Sequence, residues 1–404
     1  MDRSAVLSAL AVGLLAGPGF VAAAEGQSLA DALAKGKISL HARLRYEEVT
    51  QTGVEDANAL TLRTRVGFTT APVSGWKAML EAENITAADG ESYNQSGLNP
   101  GGARRAVVAD PESTEVNQSW LRYATGKTTA TFGRQRLVLD NARFIGDVGW
   151  RQNQQTFDAF VLEDRSLHQT TLTYGHLWQI NRVFGDKHPQ GDFRSNSHVL
   201  HASHGGWAAG TLAAYAYLLD FENAAASSCA TYGVSFAGGT PVAGGVKVTY
   251  RAEYAVQDDH GSSQLVYSTD YVAAELGLAG KPGALTVGRE VLGSDRGVSF
   301  RTPLATLHAF NGWADLFLNT PGNGLRDTYL KATVNLPAGF ALVAAQHWFK
   351  ADRLGADYGR EFDVQVSRKF GSLFSGALKY AKFNRELPTL PDVTKVWLQV
   401  EFAY

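Results

Sequence analysis

The sequence predicts an all-β protein, a transmembrane antiparallel β-barrel of about 18 strands with short periplasmic turns and long external loops. Apolar and polar residues alternate in about eighteen runs, each near the 9 to 11 residues that a tilted strand needs to cross a bilayer. After residue 24, no stretch approaches the roughly 18 consecutive apolar residues of a membrane helix. Tight turns alternate with long connections along the chain, which is typical of outer-membrane barrels.

Composition excludes several other classes of protein. The 404 residues carry 37 Lys and Arg against 39 Asp and Glu, a net charge of −2, so we expect no nucleic-acid partner. Cys229 is the single cysteine, which excludes an internal disulfide and the usual structural zinc spacings. No dinucleotide- or phosphate-binding motif is present, so the sequence predicts no cofactor.

The first 36 residues divide into two predicted segments. Arg3 precedes an apolar stretch, Ala5 to Leu15, and Ala22-Ala23-Ala24 follows, so residues 1–24 are predicted to be a cleaved secretory signal peptide. In the periplasmic segment 25–36, Ser28 can cap a short helix that ends at Gly36. This helix is interpreted as a periplasmic leader, with a plug as the alternative. Residues 37–404 form the predicted barrel.

The predicted strands are runs of alternating residues bounded by Gly, Pro, Asn, Asp or Ser. They lie near 37–49, 58–71, 76–86, 115–124, 128–138, 155–164, 168–182, 196–204, 208–220, 230–237, 245–257, 264–279, 283–292, 325–336, 340–350, 358–370, 374–384 and 393–404. A soluble sandwich or β-solenoid would also alternate. However, the polar side is charged along whole strands, and no second layer is predicted to cover the apolar side, whereas a barrel in lipid needs none.

The connections support the same fold. Turns such as 72–75, 125–127, 280–283 and 337–339 are tight, whereas 87–114, 139–154, 183–195 and 293–324 are long. An even number of strands places both termini at the end with the short turns, where an exported chain would leave them.

Three segments resemble the alginate export porin family: SLADALAKGKISLHARLRYEEV at 28–49, GRQRLVLDNARFIGDVGWRQNQQTFDAF at 133–160, and RTPLATLHAFNGWADLFLNTP at 301–321. The resemblance implies an eighteen-stranded barrel in the Gram-negative outer membrane, which passes an anionic uronate polysaccharide through an arginine-rich pore. The ending VWLQVEFAY resembles the C-terminal signal of such barrels, which implies the outer-membrane barrel-assembly machinery as a partner besides membrane lipid.

The alternation also predicts which side chains line the lumen, because an Arg or Lys facing lipid at mid-membrane costs about 2 to 4 kcal/mol. On the first two strands this rule points Arg43, Arg45, Arg63 and Arg65 inward, and the third strand adds Glu81 and Glu83 near Arg65. Arg43 is expected close to Arg63, and Arg45 close to Arg63 or Arg65. These arginines either offer weak sites to a passing anion or pair with the acids and brace the wall.

A second cluster surrounds the long 139–154 connection. It contains Arg134, Arg136, Arg143 and Arg151 together with Trp150 and several amide side chains, a combination that suits sugar recognition. The segment either folds inward as a constriction or covers the mouth as a surface lid. The 293–324 segment is expected to be a folded lid or a gate. The alternation gives five further inward candidates: Arg122, Lys247, Arg251, Lys331 and Lys379.

Together, these features predict a passive outer-membrane porin for anionic saccharides or small organic anions. The alternatives are a general non-selective porin and a structural barrel plugged by its loops. Catalysis is not expected. His201 faces away from His198 and His204 on a strand, so the three cannot share a metal, and no G-x-S-x-G motif lies between a strand and a helix.

Overall fold

The computed structural model describes residues 28–404, so the predicted signal peptide lies outside the described residues. The first element is the helix α1, Leu29–Ala34, which begins as the sequence predicts. The Ser28 hydroxyl accepts a hydrogen bond from the Asp31 backbone N–H, and the Asp31 carboxylate accepts one from the Ser28 N–H. This capping box satisfies two donors that the helix cannot. The backbone N–H of Ala71 donates to the Ala32 carbonyl, which holds the helix against a turn of the barrel.

Twenty strands follow, of which 18 form one sheet and two form a separate hairpin. Their bounds are β1 Lys37–Gln51, β2 Ala57–Thr69, β3 Trp76–Ala87, β4 Ser113–Thr125, β5 Thr128–Gln135, β6 Thr156–Asp164, β7 Thr170–Asn181, β8 Asp192–Trp207, β9 Gly210–Leu219, β10 Cys229–Pro241, β11 Lys247–Asp259, β12 Ser268–Gly280, β13 Gly283–Leu292, β14 Ser294–Asp295, β15 Val298–Ser299, β16 Leu325–Asn335, β17 Phe340–Lys350, β18 Asp357–Phe370, β19 Phe374–Arg385 and β20 Val393–Ala403.

The large sheet closes on itself. Each of its strands pairs antiparallel with the next, with β13 pairing to β16 across the small hairpin. The last strand returns to the first, so that Leu44 lies opposite Leu62 on one side and opposite Val400 on the other. The predicted closed barrel of about 18 strands is confirmed, and within residues 28–404 the 18-stranded sheet has no unpaired edge strand. Among residues 28–404, no helix has the length and apolar character to cross a membrane.

The two faces of the wall have opposite character. Leu44 is 48% exposed and Leu62 40% exposed on the outer face, whereas the neighbouring Arg45 and Glu47 are fully buried on the inner face. An inner face of charged residues becomes buried only if something fills the lumen. Two long loops do so, as described below.

The connections differ between the two ends of the barrel. At one end they are two to six residues long, and at the other they include 88–112, 136–155 and 293–324. The bounds of four strands differ from the prediction by three or more residues. Strand β10 ends at Pro241 rather than near 237, and β12 begins at Ser268 rather than near 264. Strand β8 begins at Asp192 rather than near 196, because the polar residues Asp192 and Arg194 pair with β7. Strand β5 ends at Gln135 rather than near 138, so Arg136 already belongs to the loop.

Candidate functional site

Two loops from the long-loop end fold into the lumen and pair with each other. We name them L3, residues 136–155, and L7, residues 293–324. Ile145 of L3 forms a parallel β-bridge with Leu304 of L7. The Gly146 N–H donates to the Leu304 carbonyl at 2.9 Å, and the Thr306 N–H donates to the Ala142 carbonyl at 3.0 Å. The structure therefore favours the constriction over the surface lid that the sequence left open.

The four wall arginines, Arg43, Arg45, Arg63 and Arg65, hold L3 by its carbonyl groups. Arg45 Nη2 donates to the Trp150 carbonyl at 2.6 Å, and Arg43 Nη1 donates to the same carbonyl at 2.9 Å. Arg63 and Arg65 reach the carbonyls of residues 151 and 152 at 3.4 Å. Because peptide carbonyls carry partial negative charge, they offset the repulsion among the four guanidinium groups.

Carboxylates pair with three of these arginines. Arg43 is paired with Glu401, Arg65 with Glu83, and Arg45 with Asp110 at 3.4 Å. The pair of Arg65 with Glu83 braces the wall, as one of the two predictions states. It does not exclude the other, a weak site for a passing anion, because a paired arginine can still face solute.

Arg63 is the exception among the wall arginines. It lies directly opposite Arg43, and its Nη2 contacts His41 Nδ1 at 3.0 Å. Within residues 28–404 it forms no ion pair. Arg45 lies opposite Thr61, which places it diagonal to Arg63 and away from Arg65. The wall thus retains positive charge that no carboxylate neutralises directly.

Acidic side chains on another part of the wall hold L7 by its amide groups. The Ala314 N–H donates to Glu361 Oε1 at 2.6 Å, and the Trp313 N–H donates to Asp363 Oδ2 at 3.3 Å. Both acids lie on β18 and are fully buried. Thus arginines of β1 and β2 hold L3 by its carbonyl groups, while carboxyl groups of β18 hold L7 by its amide groups.

Arg151 of L3 joins the wall to L7. Its Nη1 lies 3.1 Å from Glu47 Oε2, and its Nη2 lies 2.7 Å from Asp315 Oδ2 of L7. Burial alone would lower the pKa of Arg151, but these two carboxylates raise it above its ordinary value. Asp315 also accepts from Lys395 of β20 at 2.8 Å. Breaking any part of this group would leave a buried charge without its partner.

Arg143 makes a second link between the loops and the wall. Its guanidinium contacts both oxygens of Glu290 on β13, at 2.7 and 3.0 Å. It also donates to the side chain of Asn311 in L7 at 3.1 Å. The fork geometry suits a bidentate pair.

Aromatic side chains from both loops surround Lys379 of the wall. The ammonium of Lys379 lies 3.7 Å from the ring centre of Trp313 and 4.1 Å from that of Trp150. It also contacts His308 Nε2 at 2.6 Å, while His308 Nδ1 contacts Asp315 at 2.7 Å. Burial lowers the pKa of His308 well below its usual value, so a neutral ring accepts from the lysine and donates to the aspartate.

Several other predicted site residues do not link L3 to L7. Arg136 pairs with Asp147 and is half exposed, and Glu81 accepts from Asn117 at 2.7 Å. Near the short-turn end, Arg122 donates to Thr131 at 3.0 Å, and Lys247 is exposed.

Arg134 does not line the lumen, contrary to prediction. It shares the outer face of β5 with Phe132, which is 59% exposed, and it forms a fork with Asp158 at 2.7 and 3.1 Å. Thr131 and Gln135, which have the opposite parity, are the buried residues of this strand. Pairing with Asp158 allows this arginine to face outward.

Cavities remain on both sides of the loops. One, of about 470 Å³, lies against the wall of β11–β17, with Arg251, Glu275, Asp327 and Lys331 in its lining. Arg251 pairs there with Glu253 and lies 3.6 Å from Glu275. Two others, of about 250 and 270 Å³, adjoin at the external mouth and share Arg182, Pro303, Leu307 and Leu318.

The external mouth contains Arg182, which sequence reasoning did not select, and Arg301, which it placed only in the 293–324 segment. Arg182 lies 4.3 Å from the ring centre of Phe193, and Arg301 lines the same cavity. Among the residues that the structure describes, neither forms an ion pair. Burial lowers the pKa of Arg182 to about 10, so it remains charged at neutral pH. Both lie in irregular loops, where alternation carries no information about direction.

Histidine positions agree with the reasoning against a shared metal. His201 points inward to Asp140 at 2.9 Å, whereas His198 stacks on His176 on the outer face. Within residues 28–404, no three His, Cys, Asp or Glu side chains are arranged to hold a metal ion.

Comparisons with known proteins agree with this architecture. Residues 35–209 match the profile of the alginate export family. No curated protein sequence matches the chain. Three solved structures are similar in fold. Acinetobacter baumannii OccAB2 has a TM-score of 0.73 at 12% identity, covering 92% of this chain and 98% of its own. Pseudomonas aeruginosa OccK9 (OpdG) has a TM-score of 0.72 at 15% identity, and the match covers 92% of this chain and 100% of OccK9.

The third is Pseudomonas aeruginosa OpdK with vanillate, which has a TM-score of 0.71 at 13% identity and covers 91% of this chain and 98% of its own. The fold match and the family match both indicate a β-barrel that lies in the outer membrane. The chain is therefore an outer-membrane β-barrel with the architecture of a porin-like channel, and its residues 35–209 are similar to the alginate export family.

Proposed function

We propose that this channel passes small organic carboxylates, including uronates, down their concentration gradient. The observation that carries the proposal is that, among residues 28–404, Arg63 in the wall and Arg182 and Arg301 at the external mouth form no ion pair. Their charge makes the path attractive to an anion even though the whole chain is slightly acidic. Guanidinium groups also match the two oxygens of a carboxylate.

The filled lumen favours small solutes over a polymer. L3 and L7 lie inside the barrel and are fixed by buried charged contacts at Arg143 and Arg151. The cavity of about 470 Å³ is within the range of about 300 to 1,000 Å³ that is typical of small-molecule sites, and the two at the external mouth, about 250 and 270 Å³, are slightly smaller. The names of the relatives agree in chemistry, since vanillate and alginate both carry carboxylates.

A plugged structural barrel is the second candidate. The pairing of Ile145 with Leu304 and the buried pair of Arg151 with Asp315 tie the two loops together across the lumen. A rigid plug would use the same contacts. Solute flux distinguishes the two functions.

Flux through proteoliposomes tests the proposal. We expect glucuronate to enter faster than glucose, which is similar in size but uncharged, and a uronate trimer to enter more slowly than either. Arg301→Gln should slow glucuronate severalfold without changing glucose, because the arginine raises the local concentration of anions only. Arg296→Gln is the matched control, since Arg296 is a largely exposed residue of L7 outside these cavities. Equal rates for glucuronate and glucose, or no flux above empty vesicles, would contradict the proposal.

A further inference from the structure

A group of cations lies on the outer surface of the barrel, where the transport path does not use it. We name it the outer basic patch, and its members are Arg289, Arg326, Lys350, Arg360 and Lys382. The face follows from alternation. Arg289 precedes the buried Glu290, Arg326 precedes the buried Asp327, and Arg360 precedes the buried Glu361.

Strand register brings these cations together. Arg289 of β13 lies opposite Thr328, Thr328 lies opposite Trp348, and Trp348 lies opposite Arg360, which makes one row across four strands. Arg326 lies opposite Lys350 in the next row towards the long loops, and Lys382 lies opposite Phe362 in the next row below. Since neighbouring strands are about 4.8 Å apart, the patch is on the order of 20 Å wide.

Part of the patch forms a cleft. A cavity of about 300 Å³ is lined by Arg289, Arg326, Thr328, Trp348 and Lys350. The cleft therefore combines three cationic groups, a hydroxyl and an indole ring, and it opens away from the lumen. This composition suits a phosphate ester attached to a larger, partly apolar molecule.

Acids neutralise only part of the patch. Asp352 lies 3.2 Å from Arg326, and Asp357 lies 3.6 Å from Lys350. Within the described part of the chain, Arg289, Arg360 and Lys382 form no ion pair. Asp270 on the neighbouring strand β12 is the acidic border of the patch.

The outer face of the other strands carries far fewer cations on its long-loop half. On the long-loop half of the other thirteen strands, the outward-facing arginines and lysines are Arg134 and Arg194, and Arg134 is already paired with Asp158. Five cations on five consecutive strands are therefore a local concentration of charge rather than a general property of the outer face.

The patch lies where the lipid headgroups begin. On the same outer faces, Val287 and Leu330 lie in the row of Lys382 and Leu378 lies further from the long loops, and these three residues are 43 to 54% exposed. Among the cations, Trp348 lies in the row of Arg289 and Arg360, and Phe362 lies beside Lys382; they are 45% and 44% exposed, as expected of the aromatic girdle at a membrane interface. The long loops mark this as the external side.

We propose that the outer basic patch binds the phosphate groups of a phosphorylated glycolipid in the outer leaflet. Arg289 and Arg360 supply guanidinium forks, Trp348 packs against the sugar, and the acyl chains lie along the apolar band below. A free phosphate ion would contact the guanidinium groups but neither the apolar band nor the indole ring of Trp348. The glycolipid is therefore the occupant that fits all three features. This inference is independent of what the lumen transports.

Native mass spectrometry of the purified barrel in detergent, titrated with diphosphoryl lipid A, tests the proposal. We expect the wild-type barrel to retain the lipid, and Arg289→Gln combined with Arg360→Gln to weaken its binding by about tenfold, since charge-assisted hydrogen bonds are lost. Neither arginine side chain donates a hydrogen bond within residues 28–404, so the variant should keep the folded gel mobility of the wild type.

Controls separate this site from general attraction. Arg194→Gln removes an outward arginine from β8, outside the patch, and should leave binding unchanged. Phosphatidylethanolamine should bind more weakly than lipid A, and inorganic phosphate should not displace it. Unchanged binding in the double variant, an equal loss in the Arg194 variant, or displacement by inorganic phosphate would each overturn the proposal.

Discussion

Replacing Arg151 with methionine is expected to destabilise the barrel by about 3 to 5 kcal/mol, because one partner of a buried charge group is removed while the others stay. Glu47 and Asp315 lose a contact at 3.1 and 2.7 Å, and the link between the wall and the two loops is broken. With the loops released, single-channel conductance should rise severalfold. Denaturant unfolding in vesicles measures the first effect, and planar-bilayer recording measures the second.

Arg165→Met is the matched control for this prediction. Arg165 is 63% exposed, and its ion pair with Glu163 lies by a short turn, where such pairs contribute about 0 to 1 kcal/mol. Its removal should change neither stability nor conductance appreciably. If Arg151→Met behaves like the control, then Arg151 does not fix the loops.

Replacing Arg43, Arg63 and Arg65 together with glutamine is expected to reduce the anion preference of the channel. These residues place three guanidinium charges on one part of the wall, and only two of them have carboxylate partners. The reversal potential in asymmetric salt should shift towards that of a non-selective pore.

A variant with lysine at Arg43, Arg63 and Arg65 distinguishes the effect of positive charge from the effect of the hydrogen bonds to L3. Lysine keeps the positive charge but loses the planar fork that reaches the carbonyls of residues 149–152. We expect the lysine variant to retain anion preference, with larger fluctuations of current because L3 is held less firmly. An unchanged reversal potential in the glutamine variant would assign these arginines to bracing alone.

Alternation predicts the faces of β1 and β2 correctly because a slip of one residue would place Arg43 and Arg63 in lipid and Leu44 and Leu62 in the lumen. The prediction for Arg134, which rested on its place in the cluster around the 139–154 connection and not on alternation, was wrong. Arg134 lies one residue from the end of β5, and its partner Asp158 comes from a different strand, so the outward pair is not visible in either run alone.

The partners of the loops could not be predicted from local patterns. Arg143 pairs with Glu290, 147 residues away, and Glu290 follows another charged residue, Arg289, so alternation does not say which of the two faces inward. Lys379 was predicted to face inward, but its aromatic surroundings come from Trp150 and Trp313 in two separate loops. Such contacts depend on how L3 and L7 fold together.

The most direct test is the reversal potential of the wild-type barrel, recorded from single channels across a tenfold gradient of potassium chloride. A conducting path past L3 and L7, with Arg63, Arg182 and Arg301 along it, predicts discrete current steps and a reversal potential on the chloride side of zero. Absence of current steps, or a reversal potential on the potassium side, would contradict an anion-preferring channel.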